Sequence, residues 1–267
     1  MEMKRCKIGF VAFVCLSLAC LFGFQAARLD TSKRVSIIID DLGNNLKGTD
    51  EIFALQAPIT VAIMPLMRSS KADAIRAKKA GFEILLHLPM EFTRGKKEWL
   101  GPGAITTDMS NEEIKQQVRA DLDSIPYVRG INNHMGSKAT GDERVMRAVM
   151  EVVKERHLFF VDSATSSRSK VIQVAKELDV PYTKRNIFLD NINRTSAIHK
   201  QLRRLIQEGK QRGASIAIVH VGIQGLHTSS AIRAVLPILK KEGVQVVPVS
   251  SLLVKGEKTN QHAQAIE

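Results

Sequence analysis

The sequence predicts one α/β domain folded as a (β/α) barrel, complete or distorted. Three observations carry this. Short β-branched runs, apolar on both faces, recur from residue 32 onward, and each is followed by an amphipathic helical stretch. That alternation makes a parallel sheet covered by helices. Seven or eight such units in about 235 residues suit a barrel better than an open sheet. No Pro/Gly/Ser-rich linker or break in composition divides them, so a single domain is expected over 32–254.

The strands follow in order. Residues 35–39 form a continuous apolar run ending in Asp40 and Asp41; 59–64 and 83–87 follow, the latter closing on His87. Later runs are 130–132, 158–161, 187–189, 216–219 and 244–248. Helical patterning occupies 70–80, 110–124, 142–156, 170–178, 197–212 and 229–241. Residues 93–108 are a polar loop holding the only tryptophan, Trp99, and are expected to be a lid or a surface excursion.

The ends of the chain read differently. Lys4, Arg5 and Lys7 precede the apolar run 8–24, after which Arg28 restores polarity. This is a Sec-type pattern, so 1–27 is expected to be a signal peptide or a short membrane anchor, placing the domain in the periplasm or another extracytoplasmic space. All three cysteines (Cys6, Cys15 and Cys20) fall in that segment. The domain can therefore have no disulfide or thiolate metal site, and any metal must be held by His and carboxylate. Residues 255–267 are polar and expected to be a disordered tail.

Composition narrows function only by exclusion. With 44% hydrophobic and 25% charged residues the chain is neither disordered nor a multi-span membrane protein. A formal charge of +12 favours polyanionic neighbours. Nucleic acid is not expected among them: aromatics are 5%, and no recognition motif is present.

The non-random feature is where the titratable residues stand. In parallel α/β folds the carboxyl ends of strands converge on one face, where sites are built. Asp40 and Asp41 close the first strand and His87 the third, with Glu91 a short turn later; His134 follows the fourth, Asp162 the fifth, Asp190 the sixth and His220 the seventh. Taken singly, a strand-end Asp is as often an N-cap, and a lone His a surface residue; His157, His199, His227 and His262 take that reading. Together, two adjacent carboxylates, His87 with Glu91, and two further histidines on one rim match a zinc-type catalytic site with room for water. Neighbouring residues of a regular strand face opposite ways, so Asp40 and Asp41 can share a site only where the strand frays, and Gly43 permits that bend.

At these residues the chain resembles the divergent polysaccharide deacetylases, a branch of the carbohydrate esterases with the distorted NodB-type barrel. Residues 38–43 (IIDDLG) look like the family's opening Asp-Asp motif. Residues 81–91 (GFEILLHLPME) keep the spacing of its Gly-His-Glu-Ile-x-x-His-x-x-x-His segment, with Glu91 where a second His normally stands. Residues 132–137, 159–163, 187–191 and 246–251 are similar to motifs of the divergent branch itself.

The resemblance implies a hydrolase that removes acyl, chiefly acetyl, groups from an envelope polysaccharide or peptidoglycan-like glycan with a divalent metal, zinc first. It implies Asp40 as base, Asp41 and His87 as metal ligands, and Glu91 or His134 as the third. His220 would protonate the leaving amine, and Asp162 would orient or tune a neighbour. Two departures stand out: Ala164 where the branch usually has Arg, and Val221 where Pro usually follows the last His. With Glu91 in place of His, they also suit a non-catalytic envelope protein that binds glycan or a partner on the same fold.

Overall fold

The computed structural model describes residues 33–192, 194–223 and 225–254. The targeting segment and the polar tail read from the sequence lie outside the described residues. Among the described residues, nine strands build one sheet in the order β6-β5-β4-β3-β2-β1-β8-β7, with β9 also on β1. In chain order they are β1 (Lys33–Leu42), β2 (Thr60–Ile63), β3 (Glu83–Met90), β4 (Gly130–Met135), β5 (Phe159–Asp162), β6 (Tyr182–Lys184), β7 (Ile187–Phe188), β8 (Ala214–His220) and β9 (Val244–Val246). Every strand-to-strand ladder is parallel. The sheet curls into a half-barrel whose two ends, β6 and β7, are not laddered to each other. The barrel expected from the sequence is thus of the distorted kind, with a seam.

Among the described residues, seven α-helices follow the strands: α1 (Thr49–Phe53), α2 (Ser70–Lys79), α3 (Asn111–Ser124), α4 (Glu143–Glu155), α5 (Val171–Glu177), α6 (Thr195–Arg212) and α7 (Gly225–Lys241). Local chemistry sets several ends. Ser110 and Glu113 form a reciprocal capping box at α3, Asp142 accepts from the Val145 amide at α4, and Gly213 ends α6 in the left-handed region at φ 77°. Among the described residues no helix is long and apolar enough to cross a membrane.

Strand alternation divides the core in two. Val35, Ile37, Ile39, Val61, Ile84, Leu86 and Val219 face outward and pack beneath the helices. Ile38, Ala62, Leu85, Val161 and Ile218 face inward and meet Val249 of the C-terminal 3₁₀ turn. This inner cluster is the floor of the half-barrel. Two residues further along the same inward columns stand Asp40, His87 and His220, in the carboxyl-terminal halves of β1, β3 and β8; β3 runs on past His87 to Met90. The floor excludes water from below while the rim stays open.

Candidate metal centre and catalytic cleft

Strand register sets the site. Asp40 of β1 is the Cα partner of His220 on β8, and His87 of β3 is the partner of Asn132 on β4. His134, two residues beyond Asn132, shares its inward face.

Asp41 joins them through a bulge. Ile39 pairs with Val61 and Leu42 with Ile63, so β1 spends three steps where β2 spends two. Asp41 is left-handed at φ 67°, a conformation Asp tolerates better than most residues. The bend thus begins at Asp41 itself, and Gly43 at φ 113° completes it. Both carboxylates consequently reach one cleft.

Three ligand atoms converge there. Asp41 Oδ1 lies 3.3 Å from His87 Nε2 and 3.1 Å from His134 Nδ1, and the two nitrogens are 3.1 Å apart. A tetrahedral ion bound at about 2.0–2.1 Å holds its ligand atoms at such separations. Asp41 Oδ1 is buried yet has no hydrogen-bond partner. Such an orphan oxygen is costly unless a cation satisfies it.

The outer hydrogen bonds decide where the ring protons are. Asn132 Nδ2 donates to Asp40 Oδ1 at 2.9 Å, leaving its Oδ1 to face His87 Nδ1 at 2.8 Å. An amide oxygen only accepts, so His87 Nδ1 carries the hydrogen and Nε2 presents a lone pair. The Trp99 carbonyl lies 3.0 Å from His134 Nε2 and fixes that ring the same way, turning the Nδ1 lone pair inward. In the neutral rings, two lone pairs and a carboxylate oxygen therefore meet with no hydrogen among them. The residues present fit a divalent cation.

Electrostatics agree. Burial pushes the Asp41 carboxyl up, but the His134 and His87 imidazoles, where protonated, outweigh it and hold it well below the usual carboxylate range. Burial opposes charge on His87, yet Asp40 and Asp41 raise its pKa. The cluster attracts positive charge, as proton or as metal. Asp40, by contrast, is raised, chiefly by burial, against the pull of His87 and His220.

His220 stands beside Asp40, on the neighbouring strand β8. Its Nδ1 is 3.0 Å from Asp190 Oδ1, and its backbone amide donates to Asp190 Oδ2 at 2.9 Å. Burial disfavours the imidazolium, but Asp190, Asp41 and Asp40 outweigh it and push its pKa up to about 9. Its acidic neighbours thus favour the imidazolium. Phe188 stacks against it with ring centres 5.7 Å apart.

The remaining expected residues fall as follows. Of the two alternatives for a third ligand position, the structure brings His134 to Asp41 and His87 and places Glu91 elsewhere. The Glu91 carboxylate accepts from the Thr107 amide and hydroxyl and pairs with Lys138 at 2.7 Å. It anchors the loop 93–108, which returns across the site to offer the Trp99 carbonyl. Asp162 is buried, and its Oδ1 accepts from the Ala164 amide at 2.8 Å, turning the chain after β5.

Three residues were assigned no role from the sequence. Asn132 lay in plain view at a strand end, and Asp190 invited the N-cap reading. Arg185 gave no signal at all, because it sits in the short connection between β6 and β7. Its guanidinium donates to the Ser163 and Ala164 carbonyls at 2.6 and 2.9 Å and lies 3.6 Å over the Phe188 ring. It thus ties the two sides of the seam together beside Ala164, where the family pattern usually has its own Arg.

Residues 37–253 match the divergent polysaccharide deacetylase family. The chain belongs to that family. It is similar to an uncharacterised protein of Haemophilus influenzae, 35% identical over 208 residues that cover 78% of this chain and 72% of that one. It is 32% identical to the uncharacterised YibQ of Escherichia coli, over 81% of this chain and 64% of that one, so the match leaves about a third of YibQ uncovered. Among solved structures, an uncharacterised protein from Agrobacterium tumefaciens superposes with a TM-score of 0.78 at 22% identity, covering 83% of this chain and 89% of the other. The Xyl-CE4 domain of a multidomain xylanase from the Trinervitermes trinervoides hindgut metagenome gives 0.51 at 14% identity, with the same two coverages. These likenesses establish the half-barrel of this deacetylase family.

Proposed function

We propose that this deacetylase-family protein is a metal-dependent hydrolase that removes acyl groups, acetyl among them, from an envelope carbohydrate such as an acetylated polysaccharide or peptidoglycan-like glycan. One observation carries the reading: Asp41, His87 and His134 present three hydrogen-free ligand atoms to one point, with both imidazoles locked from behind. A divalent cation held there, zinc for this His₂-carboxylate set, supplies Lewis acidity towards the acyl carbonyl and lowers the pKa of water.

The chain's own residues divide the proton work. Asp40 is buried with a raised pKa, and Asn132 fixes its Oδ1; it is placed to take a proton from the attacking water. His220, protonated and oriented by Asp190, delivers a proton to the departing nitrogen. As register partners on adjacent strands, base and acid stand side by side at the same level. The reaction needs no covalent intermediate.

Two features that suit a non-catalytic scaffold weaken in three dimensions. His134 supplies the third ligand position that Glu91 does not, and Arg185 brings a guanidinium beside Ala164. The basic surplus and the hydrophobic run 8–24 support an exported, envelope-facing protein. Zinc-loaded chain incubated with acetylated chitooligosaccharides and peptidoglycan fragments is expected to release acetate. Stoichiometric zinc with no acetate from any of them would favour the glycan-binding alternative.

A further inference from the structure

Beside His220 lies a cavity of about 800 Å³ that the proton chemistry does not require. Asp41 and His220 stand in its wall, so it opens directly onto the reacting centre. Leu46, Phe188, Val221 and Ile223 supply apolar lining. Of the polar lining groups, Asp190 is spent on His220 and Asp41 belongs to the ligand triangle, which leaves Lys47 and Asn191. A sugar ring is held by several convergent hydrogen-bonding groups, and among the described lining residues those two are few for it.

One lining residue repeats the signal: Ile223 is 91% exposed. An aliphatic side chain so exposed in the wall of a largely apolar cavity is a feature of binding surfaces. An acetyl group offers one methyl, which leaves nearly all of this volume unused.

We propose that the cavity is an acyl-chain subsite, and that the substrate class is carbohydrate carrying N-linked acyl chains longer than acetyl, about four to six carbons or more. This rests on the hydrolase reading. Water oxygen bonds to the acyl carbon, the carbon–nitrogen bond breaks, and the products are a carboxylic acid and a glycan amine that takes its proton from His220. No oxidant or reductant enters.

The test uses the full chain loaded with zinc and glucosamine tetrasaccharides uniformly N-acylated with acetyl, butanoyl or hexanoyl groups. Binding is measured by calorimetry in Asp40→Asn, and acid release in the unaltered protein. Kd is expected to fall about fourfold per added methylene until the cavity is filled, and Ile223→Ser is expected to flatten that dependence. Acetyl binding as tightly as hexanoyl, or an undiminished length dependence in Ile223→Ser, would overturn the subsite. Length-dependent binding with no acid released from any compound would uphold the subsite and remove the hydrolase reading. Acetate release with length-independent binding would do the reverse.

Discussion

His87 Nε2 and His134 Nδ1 face each other at 3.1 Å, each with the other ring nitrogen held against an oxygen that can only accept. In an ion-free protein this is repulsive unless a proton intervenes. The site therefore trades protons for metal, and zinc affinity is expected to fall as pH drops below neutrality. Calorimetric titration between pH 5.5 and 7.5, with proton release followed in buffers of different ionisation heat, checks this.

Asp41→Asn should separate charge from backbone. Asn tolerates the left-handed conformation that the bulge demands, so the fold is expected to survive with little change in Tm. Metal affinity should nonetheless drop by about two orders of magnitude or more, because a ligand charge is gone. Asp41→Ala adds roughly 1 kcal/mol of backbone strain on top.

Asn132→Leu removes the group that orients both His87 and Asp40. Loss of such an outer partner typically lowers metal affinity about 10–100-fold. Activity should fall further than affinity, since Asp40 loses its anchor as well. Measured zinc affinity and acetate release at saturating zinc separate the two effects.

The pH profile follows from His220 and Asp40. His220 must be protonated to act, and Asp190 beside it raises its pKa, so the basic limb should lie above the ordinary histidine value of about 6.5. Asp40 must be ionised, so its titration sets the acid limb, with burial raising its pKa and a bound cation opposing that rise. Asp190→Asn is expected to bring the basic limb down towards the ordinary histidine value of about 6.5. Stability moves with it. A His whose pKa is raised on folding stabilises fully below about 6.5, and that contribution fades as pH climbs through about 9. Thermal unfolding from pH 6 to 10 should show the decline, smaller in Asp190→Asn.

Arg185→Ala should open the seam. It removes two charge-assisted hydrogen bonds to buried-edge carbonyls and the cation resting on Phe188, a loss of about 1–3 kcal/mol. Faster amide exchange in β6 and β7 than in β1 and β3 would locate the effect.

The alternation of apolar runs and helical stretches made the sheet legible, and the strand-end position of Asp40, His87, His134 and His220 made most of the site legible too. The choice between Glu91 and His134 was not. A four-residue spacing brings side chains together on a helix, but β3 stays extended to Met90, which carries Glu91 about 13 Å beyond His87. His134 instead arrives from the neighbouring strand, opposite Pro89, and cross-strand register is invisible in a single sequence. The same applies to α1 and β6, five and three residues long, whose patterns are too short to show a period. Arg185 reaches the site through main-chain carbonyls, which leave no trace in composition.

Anomalous diffraction at the zinc edge, from crystals of the full chain grown with zinc, tests the central claim most directly. One peak is expected within about 2.0–2.2 Å of Asp41 Oδ1, His87 Nε2 and His134 Nδ1 together. With zinc in excess, a triangle of these atoms without a peak, or a peak that leaves out either histidine, would contradict the account.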